Sequence, residues 1–271
     1  MNRPRVHVAF VVGLAITGLL VVTAALSFVW TPADPLTMSI AGRLEGPSRA
    51  HPFGTDQYGR DVLARVMAGA VTSIAVGVLA VAVGAGVGVP LGVAGGYVGG
   101  WLDEGLMRLV DAVQGFPAVL SALLFSAVFR PGITISTVAV GIAFVPAFAR
   151  LARGSFLELR GREFVLAAAA LGATDTRLIG RHIFPNSLSP LVVQATTSFP
   201  VAVLAEAALA YLGLGTQPPQ PSWGLMLKEA QNFLSINPWF AVFPGGAIAL
   251  AVLGLNLLGD GLRDLLSPRQ T

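Results

Sequence analysis

Six apolar runs, Val8 to Trp30, Ile74 to Tyr97, Phe116 to Phe129, Ile133 to Leu151, Leu188 to Leu212 and Trp239 to Gly259, set the limits on this chain. A helix needs about 20 apolar residues to cross a hydrocarbon core. Inside lipid a backbone must also satisfy its own hydrogen bonds, which leaves the helix as the spanning form for runs of this kind. The expectation is an all-α membrane protein with about six transmembrane helices. The third run is short and reaches spanning length only if it begins near Leu109, which would bring Asp111 and Gln114 into an interfacial turn. Composition agrees: 11% of residues are charged and 54% hydrophobic, where a soluble domain carries roughly 25% charge.

Arg3 and Arg5 precede a first run that is longer than the apolar region of a secretory signal, so it is read as an uncleaved span, with a cleaved signal as the alternative. In a six-span arrangement Arg3, Arg5, Arg150, Arg153, Arg160, Arg162, Arg177, Arg181, Arg263 and Arg269 fall on one side, while the opposite short loops hold only Arg130 and Lys228. The positive-inside rule then places both termini in the cytoplasm, with the chain in the cell membrane. Arg43, Arg49, Arg60 and Arg65 lie in a long outer loop, whose length weakens their vote. Within that loop Val62, Leu63, Val66 and Met67 form a helical apolar stripe, capped by Asp56 or Asp61 and expected to lie along the membrane surface. A second outer loop, Gly213 to Pro238, is stiffened by Pro218, Pro219 and Pro221, with Trp223 expected at the interface.

Gly84, Gly88, Gly92, Gly96 and Gly100 recur every four residues. Such a stripe permits close approach of a second helix; the alternative is a hinge aided by Pro90. Catalytic patterns are missing. A phosphate-binding loop needs Gly-Lys followed by Ser or Thr, and the only lysine, Lys228, follows Leu227. His7, His51 and His182 lie in different segments without ligand spacing, so no metal site is expected, and there is no cysteine nucleophile or thiolate ligand. Basic residues concentrate in Arg150 to Arg181 rather than over a diffuse surface, so no nucleic-acid partner is expected. Glu206 lies in an apolar span, where acids are costly and often functional; it either faces a pathway or gate or serves a structural partner.

The stretch from Arg160 to Asn186 reads as an alanine-rich helix stopped by Gly172, then a second short helix capped by Thr174 or Asp175 and ended near Pro185. It resembles the cytoplasmic EAA loop of binding-protein-dependent ABC importer permeases: Ala167, Ala168, Gly172 and Pro185 match the pattern. Leu166 stands where that family usually has glutamate, with Glu163 nearby, so a salt bridge made by that glutamate is not carried over. Two further stretches, His51 to Arg65 and Leu204 to Gly224, are similar to the C-type subunit of the dipeptide/oligopeptide/nickel branch.

This resemblance implies a type I ABC importer permease fold, with residues 1–72 forming the first helix and outer loop and 73–271 a permease core that contains the coupling loop 152–187. It implies half of a translocation pathway for di- or oligopeptides, paired with a second homologous permease, two ATPase subunits that use ATP and Mg, and an extracytoplasmic solute-binding protein. This chain itself would bind no cofactor and catalyse nothing. The ATPase-docking residues would be Phe164, Leu166, Ala167, Ala168, Gly172, Thr174, Asp175 and Pro185. The rivals are a nickel or glutathione permease of the same kind, or an ion-coupled secondary transporter. The latter needs coupling acids near the midplane and repeats; Glu206 is the only acid well inside a predicted span.

Overall fold

In the computed structural model, which describes residues 8–266, Asp61 opens the helix around which the others are arranged. Its carboxylate accepts a hydrogen bond from the Ala64 amide at 2.8 Å, satisfying a donor that a helix N-terminus leaves free. From there α2 (Val62–Val98) runs for 37 residues, about 55 Å at the usual rise. The expected surface helix is therefore the first turns of α2, and residue 72 falls inside it. Val62 and Val66 do not lie on a membrane surface because they pack with Trp223, Met226 and Phe240.

Four of the five spaced glycines turn one face of α2 toward α5 (Ile133–Arg160). A Cβ at Gly84 would sit 2.6 Å from the Phe144 Cβ, one at Gly88 2.6 Å from the Val145 carbonyl oxygen, and one at Gly96 2.8 Å from that of Arg153. The stripe is a tight helix contact, and α2 continues through Pro90. Gly100 lies beyond α2 at the start of α3 (Gly100–Gln114), with φ of +63° and open space around it.

After α3 the chain breaks at Gly115, Phe116 and Pro117 before α4 (Ala118–Phe129). Pro117 offers no amide hydrogen and disfavours helix at Phe116. The third expected span thus yields a helix of 12 residues. Among the described residues, five helical stretches have spanning length and apolarity: α1 (Val8–Leu26), α2, α5, the stretch Asp175–Tyr211 and α10 (Trp239–Leu266). Arg3, Arg5, His7 and Arg269 lie outside the described residues.

The stretch Asp175–Tyr211 corrects the expectation of a helix ended at Pro185. After α6 (Glu163–Ala170), α7 (Asp175–Arg177) passes through a π turn (Leu178–Ile183) directly into α8 (Phe184–Tyr211). Pro185 sits in the first turn of α8, where its missing amide donor costs little. α8 packs among α2, α5 and α10, and α1 lies on α10 and α2. Against the start of α2 lie the loop 31–61 and α9 (Trp223–Ala230), which is capped by the Ser222 hydroxyl. α6 lies at the other end of α2.

Candidate functional site

α6 is an eight-residue helix held by one side. Val165 is buried with Phe156, Leu178 and Ile183, while Phe164, Leu166 and Ala167 are exposed. Gly172, also exposed, stops α6 at φ +83°. Its amide donates to the Ala169 carbonyl at 2.9 Å and that of Ala173 to the Ala168 carbonyl at 3.1 Å, a left-handed ending for which glycine is suited. Of the two cap candidates, Thr174 takes the N-cap position of α7 but gives no side-chain cap; its hydroxyl lies 3.2 Å from that of Thr176.

Asp175 instead anchors the segment to α2. Its carboxylate accepts from the Tyr97 hydroxyl at 2.6 Å. The Arg160 guanidinium donates to the Tyr97 carbonyl at 2.7 Å and sits 5.6 Å from that ring's centre. Ala168 is half-buried and, with Leu171, Ala173, Arg177, Arg181 and His182, lines a groove of about 350 Å³. Phe164, Leu166, Ala167 and Ala168 thus share α6, Gly172 lies two residues past its end, and Pro185 lies beyond the π turn. Two contributors escaped sequence reasoning. Leu171 is 89% exposed, and its apolar character directly before a helix-stopping glycine was the available signal. Tyr97 carried none, since its partner is 78 residues away.

Arginines of α5 tie down the neighbouring α3. Arg153 donates to both Asp103 carboxylate oxygens, at 2.5 and 2.6 Å, and Arg150 donates to Asp111 at 2.8 Å. The hydrogen bonds from Arg153 hold the Asp103 carboxyl below the usual carboxylate range against the opposing effect of burial. This contact contributes fully above the unfolded carboxylate value and is lost only as pH falls through the lowered one.

Glu206 is fully buried at the end opposite α6. Ser73 on α2 and Thr216 in the following loop donate to its two oxygens at 3.3 and 3.4 Å, and the Trp223 amide donates to Ser73 at 3.3 Å. Trp223 itself is buried rather than interfacial, because its indole nitrogen finds the Val66 carbonyl at 3.0 Å. Beside this cluster Asp56 receives Arg60 Nε at 2.5 Å and lies 3.4 Å from Arg65 Nε. Glu229 on α9 receives Arg65 at 2.8 Å and Arg60 at 3.2 Å. Among the described residues no three His, Cys, Asp or Glu side chains form a metal-binding group.

An all-helical bundle with a short helix carried outside it is shared by many membrane proteins, and comparison decides among them. Residues 88–271 match the family described as binding-protein-dependent transport system inner membrane component. The chain belongs to this family. The permease is 42% identical to the dipeptide transport system permease protein DppC of Alkalihalophilus pseudofirmus, over 94% of this chain and 86% of that protein. It is 44% identical to the glutathione transport system permease protein GsiD of Escherichia coli and 47% identical to that of Salmonella typhimurium, each over 98% of this chain and 88% of the relative. Among solved structures, the MetNI methionine ABC transporter in its inward-facing conformations matches with a TM-score of 0.60 at 18% identity, covering 74% of this chain and 96% of that one. The fold is that of an ABC importer permease. The permease is a multi-pass membrane protein, the membrane component of an importer that works with an ATPase and a binding protein.

Proposed function

We propose that this permease pairs with a second, homologous permease and conducts di- or oligopeptides inward, driven by two ATPase subunits docked on α6 and the turn after it. The observation that carries this reading is an exposed apolar set, Phe164 and Leu166 on the short helix α6 and Leu171 directly after it. Water disfavours such a surface unless a partner covers it. The links from Tyr97 and Arg160 supply a mechanical route: force on α7 passes through Asp175 to the end of α2. ATP shifts the permease between its states only if the ATPases bind those states with different affinity.

The arginine distribution supports an orientation with α6 and both termini in the cytoplasm and the loop 31–61 and α9 on the side of the binding protein. Hydrolysis is assigned to the partner subunits, with their ATP and Mg, because the single lysine, Lys228, has no phosphate-loop context. A glutathione substrate is the second reading, favoured by the 44 to 47% identity to glutathione permeases.

The test is purification with the co-encoded neighbours and measurement of vanadate-sensitive ATP hydrolysis stimulated by the solute-binding protein, with dipeptides and glutathione as competing ligands. Uptake by this chain alone on an ion gradient would overturn the proposal in favour of a secondary transporter. Leu171→Asp should release the ATPase while leaving the folded permease intact, since its side chain already lies in solvent. Retained ATPase and normal transport in that variant would remove α6 from the docking role.

A further inference from the structure

The crossing between α2 and α5 is not completed by apolar helix. The 12 residues of α4 reach about 18 Å, against a hydrocarbon core of about 30 Å. The remaining depth is covered by the end of α3 and the break, where Asp111, Gln114, Gly115, Phe116 and Pro117 are all exposed. The partner of Asp111 lies at a similar depth: Arg150 stands on α5 about 26 Å from the start of that helix at Ile133. Their side chains are 64% and 45% exposed.

Lipid does not tolerate this combination. Irregular backbone and ionised groups at membrane depth occur where protein covers them or where they line a water-filled cavity. The surface of α1, with Val11, Leu14, Leu19 and Val22 exposed, shows what this chain presents to lipid. A dry protein contact over the break would strip water from both members of the Asp111 and Arg150 pair. Water around the pair leaves them solvated and gives Gln114 and the interrupted backbone hydrogen-bonding partners.

We propose that the α3–α4 break, with Gln114, Asp111 and Arg150, lines the aqueous passage through the assembled permease. This rests on the importer reading above, which supplies a second permease to enclose the passage. One acid, one base and an amide make a wall that can form hydrogen bonds with a small polar solute.

The chain has no cysteine, so Gln114→Cys introduces one unique thiol. The complex is held in membrane vesicles and treated from both sides with a charged, membrane-impermeant maleimide; Leu19→Cys is the lipid-facing control. Gln114→Cys should react at least about tenfold faster than Leu19→Cys, because the reactive thiolate forms in water and not in lipid. Phe116→Cys, in the same break, serves if the first variant fails to assemble. Rates within twofold of the control, or thiols that are unreactive yet cross-link to the second permease, overturn the proposal. Labelling reports water rather than transport, so inert thiols in a complex that retains its ATPase sink this inference alone. Failure of the importer reading shows separately in the ATPase measurement.

Discussion

Gly88→Val is expected to abolish recovery of folded permease, while Gly86→Val, on the same helix two residues earlier, should leave it intact. A side chain at Gly88 would meet the Val145 carbonyl oxygen at 2.6 Å, the Phe148 Cβ at 2.8 Å and the Ala149 amide nitrogen at 3.1 Å. Two of these three atoms are backbone, so relief requires α2 and α5 to separate. Overpacking of a fitted core typically costs about 1–3 kcal/mol, and separation along the whole contact adds lost packing to that. At Gly86 nothing lies within 4 Å. Both substitutions add the same β-branched side chain to an apolar helix, so propensity cancels between them. Size-exclusion profiles and thermal unfolding in detergent provide the comparison. Equal loss in both variants would mean that the α2–α5 contact does not hold the bundle together.

Asp56→Ala should be the most damaging change in the loop 31–61, with a loss of about 3–5 kcal/mol, the range for removing one partner from a buried ion pair. Asp56 and Arg65 are completely buried and Arg60 nearly so. Among the described residues, two atoms of the Arg65 guanidinium, Nε and Nη1, have no hydrogen-bond acceptor, so Asp56 at 3.4 Å and Glu229 supply the opposing charge. Removal of Asp56 leaves two arginines facing Glu229 alone. The control is Arg162→Ala, which removes a solvent-exposed partner of Glu158 and should cost less than about 1 kcal/mol. Unfolding midpoints of the two variants, measured in one detergent, check the contrast. A small shift for Asp56→Ala would show that water reaches the cluster.

Local chemistry alone made several elements legible. Spacing of four residues puts Gly84 through Gly96 on one helix face, so the existence of a close contact could be read before its partner was known. Asp61 was one of two candidate caps for its helix, and Gly172 marked the end of α6. Where expectation failed, a distant contact or a backbone continuation intervened. Pro185 resembled a terminator but occupies a first-turn position because the π turn carries the helix into α8. Trp223 resembled an interfacial anchor but is buried where the Val66 carbonyl satisfies its indole. The third run reaches spanning length only with residues from about Leu109 onward, and the break at Pro117 separates α4 from them.

By itself the sequence determined the class of this protein, five of its six expected spans in outline, and the short segment that projects from them. These follow from hydrophobic length, period and turn residues, all of which act over a few positions. Tertiary structure alone decided which helix fills the glycine stripe, that Asp175 holds Tyr97, and that Asp56 and Glu229 share two arginines. It also decided that Glu206 is closed off by Ser73 and Thr216. Arg65 and Glu229 stand 164 positions apart; a charge records that a counter-charge is needed when it is buried, but only the packing of the chain selects which one arrives.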